Sequence, residues 1–522
     1  MNWASVSALL SAFVLSILYT GSRKKDKRRY PPGPAADPIV GNVRSFPQHD
    51  PHKVFSKWGK TFGELTYVHV LGKPIIVLNS LDIIKNLLDK RGMNYSGRPR
   101  AILYEMIKWS ETVILLPFGE KWKKQRRMIS ENFTPTTVKE YFPLLENEVL
   151  SFVRRFEGRP DCLDESLHRL LSGTMLRLTY GHIVQSDDDS FMERIGRAAH
   201  LLALYPNPGA MPVDFFPFLR YLPVWFPGMG FIRHANSTRD FVAELTEDLY
   251  KIVEDDVLSG RMNTSLVAKW RGDSKKAKSL GRDDIIDVKM NGFTTYVAGV
   301  ETTESTIFTF YLMMIVNPEI QRRAQLEIDQ FVATEGRLPS FEDRTQLPFV
   351  GCILKEVYRF GPPLPLAVPH TTFKDDVYKN MFIPGGSLVI PNIWGLMNDE
   401  KVFPDPNVFN PDRHMTKTGA ETKNEVSSVE LGSEKTIASD PSTLVFGFGR
   451  RICPGKQFAD GMVWLVIART LAVFDVLPPL NETTGKPELP EVEYITTATA
   501  RPKDFKCRVL PRSERHLSLL RD

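Results

Sequence analysis

Phe446 to Gly455 reads FGFGRRICPG, and the reading of the whole chain turns on this loop. Gly447 and Gly449 let the backbone turn tightly and come close to a flat partner. Cys453 follows, then Pro454 and Gly455, with an amphipathic helix expected from Lys456 onward. A cysteine just before a helix N-terminus feels the positive end of the helix dipole, which favours thiolate. Arg450 and Arg451 add positive charge. A thiolate in a glycine-lined loop with a helix behind it suits one face of a haem iron. The plainer alternative is a buried, inert cysteine, which is what Cys162, Cys352 and Cys507 are expected to be. No CxxC pair suggests structural zinc, and four cysteines in 522 residues fit a reducing compartment better than a disulfide framework.

Working outward, Glu356 and Arg359 in KEVYR share one helix face at i, i+3. FNPDRH carries Arg413, and AGVETT runs from Ala298 to Thr303 within a long apolar stretch, about Ile285 to Val316. A mid-helix glycine costs about 1 kcal/mol against alanine, so Gly299 needs a local reason, of which simple packing is the plainest. KWKKQRR places Trp122 and Arg126 one turn apart, and PLAVPH ends on His370. Taken singly, these read as an exposed basic helix end and a solvent-facing histidine.

Together they resemble the cytochrome P450 family. The cysteine loop matches that family's Phe-Gly-x-Gly-x-Arg-x-Cys-x-Gly at every fixed position, and the other motifs follow in the family's order. The resemblance runs from Pro31 to about Arg512 and looks most like fungal microsomal members near the O-methylsterigmatocystin oxidoreductase group. It implies a mainly α fold with a small β-sheet region, and heme b with Cys453 as axial ligand. It implies that Arg451, Trp122, Arg126 and His370 meet the haem propionates. Thr302 would hold bound dioxygen and its water, in a helix locally distorted over the haem, and Glu301 would relay protons. Glu356, Arg359 and Arg413 would form a buried charge network around the cysteine loop; the family more often has an aromatic where His414 stands. By family position the substrate pocket draws on Ala101 to Tyr104, Ala298, Leu364 to Val368 and Ile495 to Thr497, mostly apolar.

Trp3 to Thr20 is apolar or small throughout, about 27 Å as a helix, just enough to cross a bilayer core. RKKDKRR follows, placing the body on the cytosolic side. The alternative, a cleaved secretory signal, would carry its charge before the apolar stretch. Residues 1–22 are therefore expected to anchor the chain in the endoplasmic reticulum membrane as a single pass. Residues 23–34, ending in YPPGP, are a basic, proline-stiffened hinge, and 35–522 the catalytic domain. A cytosolic body would leave the sequons at Asn94, Asn236, Asn263 and Asn481 unmodified.

Residues 62–79 read as two strands joined at Gly72-Lys73, and 415–440 as an exposed insertion. The aromatic, proline-rich stretch Met211 to Phe231 is either a buried loop or one that dips into the bilayer. A net charge of +5 is mild for this length and gives no basic stripe for nucleic acid. No GxGxxG nucleotide loop follows a strand, so electrons must come from a separate protein, expected to be NADPH-cytochrome P450 reductase. Lys121, Lys123, Lys124, Arg127 and Lys456 would form a basic docking face for it. The function implied is oxygen insertion from O2 into an apolar secondary metabolite, a terpenoid or aromatic polyketide. The rivals are a haem-thiolate isomerase or dehydratase that needs no reductase, and a non-catalytic membrane-tethered haem binder.

Overall fold

The two strands expected in 62–79 form, and the turn between them falls one residue earlier than the sequence suggests. In the computed structural model, β1 (Leu65–Val70) pairs antiparallel with β2 (Lys73–Leu78) through Leu71 and Gly72. Both turn residues have positive φ, 49° and 81°, the combination whose twist matches a hairpin. The structure describes residues 28–203, 211–276, 282–415, 440–497 and 499–521. The expected anchor and nearly all of the 415–440 insertion lie outside them. Among the described residues no helix is long and apolar enough to cross a membrane.

The chain divides into two compact units. The first holds residues up to Pro99 together with Leu366–Leu396. Its helix α1 (Pro51–Phe62) starts with proline at its first position, where the missing N–H costs nothing. Its four-stranded sheet has the order β1-β2-β6-β3, with β3 at His370–Thr371 and β6 at Leu388–Pro391. A small hairpin joins β4 (Asp376–Tyr378) to β5 (Met381–Ile383). The proline hinge lies along β1: the Tyr67 N–H donates to Pro32 O at 3.0 Å. A Cβ on Gly33 would sit 1.9 Å from Tyr67 O, so only glycine fits that approach.

The second unit holds Arg100–Pro365 and Met397–Asp522 and is mostly helical. Its helices include α2 (Glu120–Glu131), α3 (Phe142–Arg154), α4 (Leu163–Tyr180) and α5 (Gly230–Leu258). The long apolar pattern becomes α6 (Arg282–Val316), closed as expected by Asn317-Pro318, and α7 (Pro318–Glu335) follows. Then come α8 (Pro348–Phe360) and α9 (Lys456–Val473), with the strand pairs β7 (Phe474–Leu477)/β10 (Arg508–Pro511) and β8 (Tyr494–Thr496)/β9 (Ala500–Pro502). Phe310 to Ile315 are all buried, so the C-terminal part of α6 is apolar all round. It is the axis of this unit, touching α2, α4, α8, α9 and β9.

The stretch 211–231 is not a buried loop. It forms two short helical turns, Pro212–Phe215 and Pro217–Tyr221, before α5. Phe216, Phe218, Tyr221, Trp225 and Phe226 all face outward, Tyr221 and Trp225 at 74% and 79% exposure. Buried Asp214 holds its base, accepting from Leu103 N at 3.3 Å.

Candidate active site

Gly447 and Gly449 take φ of +77° and +58°, values that strain any residue with a Cβ. They let the loop fold back so that the Cys453 N–H donates to Phe446 O at 2.8 Å. α9 starts at Lys456 as expected but is buried nearly all round rather than amphipathic; Gly455 caps it, and its N–H points at the Cys453 sulfur. Cys453 differs from the other three cysteines, which are buried: its side chain is accessible. Burial nevertheless pushes its thiol up, against the pull of Gly455 N–H, Arg126 and Lys456. The residue is accessible and yet densely surrounded by protein. The helix end and nearby cations do not make this thiol acidic on their own, but a coordinated metal ion deprotonates a thiol outright.

Trp122 and Arg126 of α2 reach this loop. Arg126 Nη2 donates to Ile452 O at 2.5 Å, one residue from the thiol. Burial lowers its pKa while Cys453 favours its charge. Arg451 turns to its own chain: Nη1 donates to Val113 O at 3.2 Å and Nη2 to Leu116 O at 2.7 Å. Its guanidinium lies 4.4 Å from the centre of the Trp122 ring, a cation–π contact. In this structure Arg451 clamps the cysteine loop to the 113–116 segment. A single accessible thiol, with a guanidinium and an indole at its rim, is the donor set that a haem with acidic side chains requires.

Glu301 and Thr302 lie together on α6. The Thr302 hydroxyl donates to Ala298 O at 2.7 Å, the usual back-bond of a helical threonine. The helix runs unbroken through this turn, so the local distortion implied by the family pattern is not seen. Gly299 has the plainer reason: a Cβ there would stand 2.7 Å from Met175 Cε of α4. Burial, and then the neighbouring Glu304, raise Glu301 to about 7.

The charge network is present and larger than expected. Glu356 and Arg359 are both 0% exposed and paired twice, at 2.9 and 2.8 Å. Arg413 Nε donates to the same carboxylate at 3.1 Å, as does Asn410 N at 2.9 Å. Arg359 also donates to Met397 O, and Arg413 to Pro404 O. His414, which looked like a departure from pattern, is a further member: its Nε2 lies 2.8 Å from Glu356 Oε2. Burial opposes ionisation of Glu356, but bonds from His414 and Arg359 hold it below the usual carboxylate range. Burial lowers His414 as well, so the ring donates as a neutral imidazole. From the same turn of α8, Tyr358 meets Phe446 edge-on at 5.5 Å and donates to Asp460 of α9 at 3.3 Å. The network thus grips both sides of the cysteine loop.

His370 belongs to the first unit. It is buried on β3, not solvent-facing, with Nδ1 2.8 Å from Tyr95 O. A carbonyl only accepts, so the proton sits on Nδ1. A neutral ring then has none on Nε2, and an anion met there would call for the imidazolium.

Glu356→Gln should cost about 3–5 kcal/mol in denaturant unfolding, because it leaves the buried guanidinium of Arg359 and the partly buried one of Arg413 uncompensated. His414→Phe should cost about 1–3 kcal/mol. The unfolded chain protonates His414 near pH 6.5 and the folded one only at lower pH, so wild-type stability should fall as pH drops below about 6.5. That part of the acid loss should be smaller in His414→Phe; identical pH profiles would show His414 idle.

The cytochrome P450 family model matches residues 31–502. Cytochrome P450 monooxygenase 176 of Postia placenta is 34% identical over 525 residues, spanning 100% of this chain and 98% of its own. Cytochrome P450 monooxygenase COX2 of Coprinopsis cinerea is 34% identical over 519 residues, with 99% and 95% covered. Cytochrome P450 monooxygenase ple1 of Rhodocybe pseudopiperita is 32% identical over 502 residues, with 96% and 93% covered. A zebra fish cytochrome P450, solved with abiraterone, shares the fold with a TM-score of 0.68 at 21% identity, covering 89% of this chain and 100% of that one. The fungal kinship and the mainly helical fold are as the sequence suggested. With its cysteine loop and full-length relatives, this chain belongs to the cytochrome P450 family, as a monooxygenase that binds haem iron.

Proposed function

We propose that this monooxygenase inserts one oxygen atom into an apolar secondary metabolite, with electrons from NADPH delivered by a separate cytochrome P450 reductase. The observation that carries the reading is the intact acid–alcohol pair, Glu301 and Thr302, on one turn of the central helix. Haem held by Cys453 supplies the activation of dioxygen. The chain's own residues supply protons and position. The Thr302 hydroxyl proton is spent on Ala298 O, so its lone pairs are turned outward as acceptors for a water or for oxygen. Glu301, near 7, can hold or release a proton at neutral pH, which suits a general acid. Trp122 and Arg126 are the groups we assign to the haem propionates, while Arg451 supports them by fixing Trp122 and the loop.

The substrate class rests on the residues that family position would put around the substrate. Ala101, Ile102, Leu103 and Tyr104 are buried and mostly apolar, which favours a terpenoid or aromatic polyketide over a charged metabolite. The electron-donor face is narrower than the sequence alone indicates. Lys121 pairs with Glu111 at 3.3 Å, Lys123 with Glu120 at 2.7 Å, and Lys124 with Asp284 and Asp287. Arg127, Arg450 and Lys456 make no ion pair among the described residues, and they are the cations we assign to an acidic donor surface. Localisation to the endoplasmic reticulum, with the catalytic body in the cytosol, rests on the apolar segment 3–20 and the charges after it. The exposed aromatics of 216–226 fit a second contact with the bilayer interface.

With NADPH, reductase and a converted apolar metabolite, Thr302→Ala should keep oxygen uptake while shifting most of it from product to hydrogen peroxide. Unchanged coupling would remove Thr302 from the chemistry, and conversion without NADPH would favour the isomerase or dehydratase rival. A chain lacking residues 1–29 should still bind anionic phospholipid vesicles. Trp225→Ser with Phe218→Ser should release it; equal sedimentation of both forms would place the second contact elsewhere.

A further inference from the structure

Glu304 follows Glu301 by three residues on α6, so the two carboxylates share one helix face. Both are half-buried. Neither makes a hydrogen bond or an ion pair with a described residue, in contrast to the saturated Glu356. A carboxylate kept for structure is normally held by donors. One half-buried without them relies on water.

The surroundings are polar and lead outward. β9 is fixed to α6 at this turn, where the Ser305 hydroxyl donates to Ala500 O at 2.5 Å. The next residue, Arg501, is exposed and pairs with Asp504 at 3.1 Å. Asp164 and His168 face the same region from α4, and Tyr296 from about two turns before Glu304 on α6. Along the α4–α6 seam the buried hydroxyls of Tyr180 and Thr294 have no direct partner among the described residues, while those of Ser172 and Tyr296 face each other. Orphaned hydroxyls gathered in one seam are characteristic positions for ordered water.

We propose that Glu304 is a second proton-relay residue, which takes protons entering from solvent beside the Arg501–Asp504 pair and hands them through water to Glu301. This rests on the reading that Glu301 and Thr302 serve oxygen chemistry. Each transfer breaks one O–H bond and makes another. The Glu304 carboxyl gives its proton to the Glu301 carboxylate and is refilled from solvent; no electron moves. The two groups are well matched for such an exchange. Burial raises Glu304 to about 7, with Arg501 opposing and Asp164 assisting, and Glu301 also lies at about 7. Neither would trap the proton. Glu304 acts through Glu301 and is therefore a positioning and relay residue, not one that meets substrate.

The test uses the full-length enzyme in membranes with reductase, NADPH and oxygen, measuring oxygen uptake and hydrogen peroxide in H2O and D2O across pH 6 to 8. Glu304→Gln should slow the proton-limited step about tenfold, enlarge the solvent isotope effect and raise the peroxide share. Glu304→Asp should restore most of the loss. Arg501→Gln, on the surface, removes the opposing cation and should shift the pH profile upward. Infrared titration of the carboxyl bands gives a readout without turnover. Wild type should show two groups titrating near 7, and Glu304→Gln one, at a lower midpoint because the neighbouring negative charge is gone. An active wild type with an unchanged isotope effect, peroxide share and pH profile in Glu304→Gln overturns the relay. So does an infrared titration near 7 that Glu304→Gln leaves intact. A wild type that takes up no oxygen with NADPH and reductase brings down the functional reading instead.

Discussion

The buried carboxylate of Glu356 is the constraint on which the catalytic unit rests. It is sealed from water and accepts from Arg359, Arg413, His414 and the backbone N–H of Asn410. Such a network is a poor source of net stability, because desolvating the charges costs nearly what their attraction returns. Its value here is geometric. The guanidiniums also bind the carbonyls of Met397, Pro404 and Val408, so one carboxylate fixes the course of a long segment without regular structure. Tyr358 carries that rigidity to Phe446 and Asp460, on either side of Cys453.

From that fixed point the chemistry is arranged around two helix features. The start of α9, with Gly455 N–H against the sulfur, favours the anionic form of Cys453 while burial opposes it. Burial is the larger influence and holds the thiol above its ordinary range, and a metal ion bound there would draw the proton off. On α6, burial acts on carboxylates and keeps Glu301 and Glu304 near 7, where proton exchange is possible at cellular pH. The same physical effect, desolvation, thus opposes ionisation of a thiol at one place and tunes acids at another.

Much of this was legible in sequence because the deciding patterns are local. The glycines of the cysteine loop, the i, i+3 pair of α8 and the apolar run closed by Asn317-Pro318 each declare themselves within a dozen residues. What the sequence hid depends on partners far away in the chain. His414 joins the network only because Glu356, 58 positions earlier, is turned toward it. Lys124 looks like a free cation until Asp284 and Asp287 of α6 neutralise it. Arg451 looks destined for an anion, yet two backbone carbonyls and the Trp122 ring hold it. The resemblance implied a helix distorted over the haem, and the helix instead runs regularly there, with Gly299 packed against Met175. Glu304 carries no motif, and only its lack of donors in a polar seam gives it meaning.

The central claim is that Cys453 presents a thiolate to haem iron in a loop held by the Glu356 network. The carbon monoxide difference spectrum of the reduced full-length protein in membranes tests it most directly. The account predicts a Soret band red-shifted in the manner of thiolate ligation, absent in Cys453→Ala. A histidine-type band in the wild type, or a thiolate-type band that survives Cys453→Ala, would contradict it.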